Sequence, residues 1–156
     1  MLHGIHIDLK DAYYTVPICK EHQKFLKFHW KGNLYQYVCF PNGLALCPRK
    51  FTKLLKPIFS ILRQQGHISV AYLDDSWLTA ENFTVCVRNV IDTITLLDKV
   101  GFIIHPGKSV LLPTHTITFL GFVLNSTLMK VTLTPERALK LKKCLSKFTS
   151  CCLPLY

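Results

Sequence analysis

Apolar and polar positions alternate from the start of the chain. Ile5-His6-Ile7-Asp8-Leu9 sends three apolar side chains to one face and His6 and Asp8 to the other, the period of a half-buried strand. Pro17 prevents a long helix directly after it. Phe25 to Trp30 and Leu34 to Phe40, separated by Lys31-Gly32-Asn33, predict a hairpin. The period then changes. Phe51, Leu54, Leu55, Ile58, Phe59 and Leu62 recur at helical spacing after Pro48, a residue tolerated in a first helical turn. They predict an amphipathic helix kinked at Pro57. Ile68-Ser69-Val70-Ala71 and Trp77-Leu78 bracket Tyr72-Leu73-Asp74-Asp75 as a second hairpin. Asn82 or Thr84 caps a helix carrying Val87, Val90, Ile91, Ile94 and Leu97 and closed at Gly101. Two short strand pairs follow: Ile103 to Leu112 around Pro106-Gly107, then Ile117 to Leu124 and Met129 to Leu133 around Asn125-Ser126-Thr127. Thr134-Pro135 starts a last helix running toward Phe148. This order predicts an α+β fold, an antiparallel sheet with helices packed on one face.

The acids then stand out. Two adjacent carboxylates at a hairpin tip, Asp74 and Asp75, are costly unless something neutralises them, and Asp8 ends a strand elsewhere. Read alone, Asp74-Asp75 is an acidic surface turn. Together the three acids converge if the two strands are neighbours, and they then suit a pair of divalent cations. Such a pair, roughly 3.5–4 Å apart, stabilises both the attacking and the leaving oxygen of an in-line phosphoryl displacement. Mg²⁺ takes hard oxygen ligands and keeps several waters, so a few aspartates suffice.

Composition narrows the partner. The 156 residues make one domain's worth of chain, and 49% hydrophobic content fits a globular core. Nineteen Lys and Arg against nine Asp and Glu give a net charge of +10, which suits a polyanion through counterion release. Lys24-Phe25-Leu26-Lys27-Phe28-His29-Trp30-Lys31 interleaves basic and aromatic residues; it reads equally as an amphipathic strand. Seven cysteines form no Cys-x-x-Cys pair, the pattern of small buried hydrophobes in a reducing compartment. His3 and His6 have no second pair at ligand spacing, so a zinc site is not indicated. No apolar run approaches the roughly 18 residues of a membrane span, and no leader pattern opens the chain. The expected location is intracellular, in cytoplasm or nucleus, with no membrane partner.

Five short motifs carry a family resemblance. Asp8-Leu9-Lys10-Asp11-Ala12-Tyr13 resembles motif A of reverse transcriptases, Phe40-Pro41-Asn42-Gly43 through Pro48 motif B, and Tyr72-Leu73-Asp74-Asp75 motif C. Gly101-Phe102 through Lys108 resembles motif D, and Phe119-Leu120-Gly121-Phe122 motif E. Their order spans most of the chain. The wording between them, as in Lys53-Leu54-Leu55-Lys56-Pro57 and Gly66-His67-Ile68-Ser69-Val70, is most similar to tyrosine-recombinase (DIRS-type) retrotransposons.

The resemblance implies a polymerase palm over residues 1–133 and the start of a thumb or connection helix over 134–156. It implies an RNA-directed DNA polymerase that adds dNTPs to a primer on an RNA or DNA template. Asp8, Asp74 and Asp75 would hold two Mg²⁺ ions, Mn²⁺ being an alternative, with Lys108 near the departing pyrophosphate. Tyr13 would lie under the incoming sugar and exclude a 2′-hydroxyl, while Asn42 and Gly43 would contact the nucleotide. Asn42 departs from the glutamine common there in retroviral enzymes, keeping an amide on a shorter stem. Tyr72, Leu120 and Gly121 would meet primer or template. Asp11 reads as a surface residue. Fingers, most of the thumb and RNase H are expected on other segments of a longer product, so the 156 residues alone are expected to be weakly active or inactive. The alternative is a decayed or domesticated remnant that keeps the fold and non-specific nucleic-acid binding.

Overall fold

The computed structural model describes residues 1–151, with side chains through residue 146. Strand β1 (His3–Lys10) is central, and β5 (Asp75–Ala80) pairs antiparallel to it from His3↔Ala80 to Asp8↔Asp75. Beyond β5 lies β4 (Ile68–Tyr72), joined to it by a tight hairpin. The expected alternation holds. Ile5, Ile7 and Leu9 are buried against Leu78 and Ala80, while His6, Asp8, Asp75 and Trp77 share the opposite face.

Two helices cover the apolar face. Helix α2 (Leu46–Gln64) runs through Pro57 and buries Phe51, Leu55, Ile58, Phe59 and Leu62. It follows the four-residue helix α1 (Lys20–Gln23) and a small hairpin of β2 (Lys27–Trp30) and β3 (Asn33–Gln36), whose turn has Lys31 and Gly32 at positive φ. Helix α3 (Phe83–Lys99) starts at Asn82, whose side chain accepts from the Val85 N–H at 2.9 Å, and is closed by Gly101 at φ 89°. Its buried face differs from the apolar stripe in the sequence. Cys86, Asn89, Val90, Thr93 and Leu97 point inward, whereas Ile91 faces solvent. Two polar residues are tolerated there because Asn89 donates to the Ile68 carbonyl at 3.1 Å and Thr93 donates to the Asn89 side-chain oxygen at 3.2 Å.

Two strand expectations change. Residues 103 to 112 do not pair with each other. Strands β6 (Ile103–Ile104) and β7 (Val110–Thr114) both pair with the second edge of β1. Donors and acceptors on a central strand must be satisfied, and this edge captures both segments. Residues 117 to 124 are likewise two strands, β8 (Thr116–Phe119) and β9 (Phe122–Asn125), turning at Leu120-Gly121 with φ 48° and 75°. Two consecutive positive φ values make the tight turn that suits a twisted hairpin. Strand β10 (Lys130–Leu133) completes this second sheet, and helix α4 (Pro135–Cys151) follows. Of the segment expected as the start of a thumb, 152–156 lie outside the described residues. Among the described residues, no helix is long and apolar enough to cross a membrane.

Candidate active site

The polar face of the sheet ends in a cleft of about 360 Å³ lined by Asp8, Lys10, Asp11, Tyr13, Tyr14, Asn42, Asp74, His105 and Lys108. Pairing of β1 with β5 explains why acids remote in sequence meet. The hairpin tip is fastened to β1 by the Leu9 N–H, which donates to the Asp74 carbonyl at 3.0 Å. The tip turns through Leu73 at φ 55°, a left-handed conformation costly for a residue with a side chain.

Asp8 is 8% exposed and Asp74 is exposed. Burial raises the Asp8 pKa above the usual carboxylate range. The Lys108 ammonium pulls it back, while the Asp74 and Asp75 charges push it further up and His105 opposes them. Lys108 Nζ stands 4.0 Å from Asp8 Oδ1 and is largely exposed. Asp75 is directed elsewhere: its Oδ1 lies 3.1 Å from His6 Nε2, and it does not line the cleft. Tyr13 is half-buried, its ring edge-on to Phe51 at 5.2 Å, and its pKa is raised by burial and then by the Asp74 charge.

The loop between β6 and β7 is tied to β1 at three points. The His105 N–H donates to the Asp8 carbonyl at 2.8 Å, the Asp8 N–H donates to Ser109 Oγ at 3.0 Å, and His6 Nδ1 lies 3.2 Å from the Lys108 carbonyl. These ties carry Lys108 to the acids. His6, Tyr14 and Ser109 lie outside the five motifs, and His105 lies within the fourth with no role expected of it. Period-two alternation marks His6 as sharing a face with Asp8, but nothing local marks Ser109 or His105.

The other expected residues are placed as follows. Asn42 lines the cleft and donates to the Tyr14 hydroxyl. Gly43 is exposed at φ 91°, and Tyr72 is exposed on β4 beside Asp75. Leu120 and Gly121 form the β8–β9 turn, away from the cleft lining. A Cβ on Gly121 would collide with the Arg137 guanidinium, and the Gly121 carbonyl accepts from the Thr134 N–H at 3.1 Å.

The family model for reverse transcriptase (RNA-dependent DNA polymerase) matches residues 2–124. The chain belongs to the reverse transcriptase family. A Gag-Pol polyprotein of avian reticuloendotheliosis virus is 27% identical over 125 residues, 74% of this chain and 11% of that protein. The transposon Tf2-3 polyprotein of Schizosaccharomyces pombe is 26% identical over 102 residues, 65% of this chain and 8% of that protein. The chain therefore spans about a tenth of the curated relatives it matches. The fold is that of the foamy viral protease-reverse transcriptase, solved in complex with double-stranded DNA. The TM-score is 0.79 at 26% identity, covering 90% of this chain and 24% of that one. The same enzyme solved with an RNA/DNA hybrid gives a TM-score of 0.76 at 25% identity, with 90% and 18% covered. Viral and transposon relatives match at a similar level, which fixes the reverse transcriptase family and not the subgroup.

The acids of this reverse transcriptase domain suit a hard divalent cation. Buried Asp8 is crowded by two further carboxylate charges and faced by a lysine only at 4.0 Å. Among the described residues, no group of three His, Cys, Asp or Glu side chains is placed to hold a metal ion, so the expected set of Asp8, Asp74 and Asp75 is not assembled as three ligands. Mg²⁺ is commonly held by one or two carboxylates, with waters and substrate phosphates completing its shell.

Proposed function

We propose that this chain is the catalytic palm of an RNA-directed DNA polymerase in a longer product, adding dNTPs to a primer held on RNA or DNA. The observation that carries the reading is one cleft containing Asp8, Asp74, Tyr13 and Lys108, assembled from three separate segments. Asp8 and Asp74 are the metal ligands, for Mg²⁺ or Mn²⁺. A bound pair of these ions would offset charge on the attacking and leaving oxygens. Asp75, held by His6, adds negative charge beside them. Lys108 lies on the acids' side of the cleft, where its ammonium attracts the triphosphate and offsets charge on the departing pyrophosphate. The Tyr13 ring, backed by Phe51, forms the wall against which a deoxyribose fits and a 2′-hydroxyl clashes. Tyr72 and the Leu120-Gly121 turn present backbone and ring surface to primer and template, and Gly43 lets a strand or nucleotide approach closely. The +10 charge supplies non-specific affinity for the duplex. Nucleic acid in the foamy viral complexes supports that role.

The test is extension of a primed RNA template by this chain fused to the fingers and thumb of the foamy viral enzyme. Mg²⁺-dependent extension that is lost on Asp74→Asn supports the reading. Failure of the folded fusion to extend, under conditions where the foamy viral enzyme does, favours the inactive remnant.

A further inference from the structure

Helix α2 carries five cations, Arg49, Lys50, Lys53, Lys56 and Arg63, and no acid. Arg49, Lys53, Lys56, Ser60 and Arg63 recur at spacings of four, three, four and three residues, and all are exposed. At about 3.6 residues per turn, this row lies on the side of the helix opposite Phe51, Leu55, Ile58 and Leu62. Those four are buried in the core with Ile5, Ile7 and Leu9 of β1. The sheet therefore stands between the basic row and the catalytic cleft, and none of the row lines that cleft.

A helix face that meets only water usually mixes signs. Helix α3 does so, with Arg88, Asp92, Asp98 and Lys99, and Arg88 lies 3.9 Å from Asp92. On α2 the like charges are neighbours, Arg49 with Lys53 and Lys53 with Lys56, which disfavours the helix. Among the described residues, none of the five cations is in an ion pair; Arg63 donates to the Ser69 carbonyl at 3.4 Å. A polyanion laid along the helix would offset the repulsion. The row from Arg49 to Arg63 is about 21 Å long, at about 1.5 Å per residue. A DNA duplex carries about one charge per 1.7 Å of axis, so that length presents about a dozen phosphates. A duplex fits better than a single strand. Unpaired bases are held by stacking on aromatic rings, and the aromatics of α2, Phe51 and Phe59, are buried.

We propose that the outer face of α2 is a second nucleic-acid surface, which binds the phosphate backbone of a duplex without reading its sequence. It stands apart from the polymerase reading: a chain that fails to extend a primer leaves it in place. The test is fluorescence anisotropy of the whole chain with a short random-sequence DNA duplex across a salt series. Three triple variants are compared with the wild type. Arg49→Gln, Lys53→Gln, Lys56→Gln strips the row, and Arg49→Lys, Lys53→Arg, Lys56→Arg keeps its charge. Lys20→Gln, Lys31→Gln, Lys130→Gln removes as many exposed cations from three other elements. The log–log slope of affinity against salt should fall by about 2–3 in the stripped variant and by less than about 1 in the scattered one. The charge-retaining variant should match the wild type. Gln is close to Lys and Arg in helix propensity, and an unchanged melting curve shows that the fold is intact. Equal falls in the stripped and scattered variants would reduce the effect to net charge, and an unaltered slope in the stripped variant would place the contact elsewhere. Either overturns the proposal. So does polyglutamate that displaces the duplex from the wild type as well as unlabelled duplex does, which would assign the face to an acidic protein.

Discussion

Asp8 and Asp75 stand directly opposite one another on β1 and β5, two carboxylates on one face at the end of the sheet. Opposed like charges disfavour the fold. Burial, with Asp74 and Asp75, raises the Asp8 pKa in the folded state. The folded chain therefore holds this proton more tightly than the unfolded one. Its contribution to stability is full below the ordinary carboxylate pKa and is lost as pH rises through the raised value. Asp8→Asn removes the ionisation at nearly constant shape. In EDTA at pH 7 the variant should melt above the wild type, by about 2–4 °C for each kcal/mol regained. The gap should close below about pH 4. A pH-independent gap in melting temperature would contradict this account.

Mg²⁺ should reverse that order. A ligand bound only by the folded state at about 100 times its Kd adds roughly 2.7 kcal/mol. Titrating Mg²⁺ should raise the wild-type melting temperature and leave Asp8→Asn unmoved. An equal response in both would remove Asp8 from the ligand set.

Lys108 is exposed and reaches Asp8 only at 4.0 Å, so its removal should spare the fold. Lys108→Ala should change the melting temperature little, because exposed ion pairs contribute about 0–1 kcal/mol. In an active fusion it should lower the maximal rate of dNTP addition by on the order of 10²-fold if the ammonium acts as a proton donor or charge partner. Single-turnover extension at saturating dNTP measures this, and an unchanged rate would leave Lys108 as a surface residue.

Phe51 links stability to substrate choice. It is fully buried and its ring meets those of Tyr13 and Phe102. Phe51→Ala should cost about 3–5 kcal/mol in denaturant unfolding. The milder Phe51→Leu should keep the fold yet loosen the Tyr13 wall. In an active fusion, incorporation of ribonucleotides relative to deoxynucleotides should then rise. Unchanged selectivity would show that Tyr13 is held by its other neighbours.

Gly121 combines a φ of 75° with an Arg137 side chain where its Cβ would go. Gly121→Ala should destabilise the β8–β9 turn by about 1–2 kcal/mol from the left-handed backbone alone. Adding Arg137→Ala relieves the collision and not the backbone strain. Chemical denaturation of the single and double variants separates the two, and full recovery in the double would assign the whole cost to Arg137.

The sequence by itself determined the elements whose signals are local. Alternation at Ile5 to Leu9, the cap at Asn82 and the closing Gly101 each report a backbone choice made within a few residues. They are found where the pattern puts them. The five motifs identified the family because their order survives any error in pairing. Tertiary structure decided the pairing partners. Ile103-Ile104 and Val110 to Thr114 are too short and too ambiguous to name a partner, and only the open edge of β1 supplies one. It also decided the helix face of α3, where Asn89 and Thr93 go inward because carbonyl and amide partners await them there. The composition of the cleft belongs to the same class. Asp8 was legible as a strand-end acid, but its raised pKa, the bond of Asp75 to His6 and that of Asn42 to Tyr14 are made between distant segments. Hydrogen bonds and charge interactions of that kind depend on distances in space, which a linear pattern of residue types does not encode.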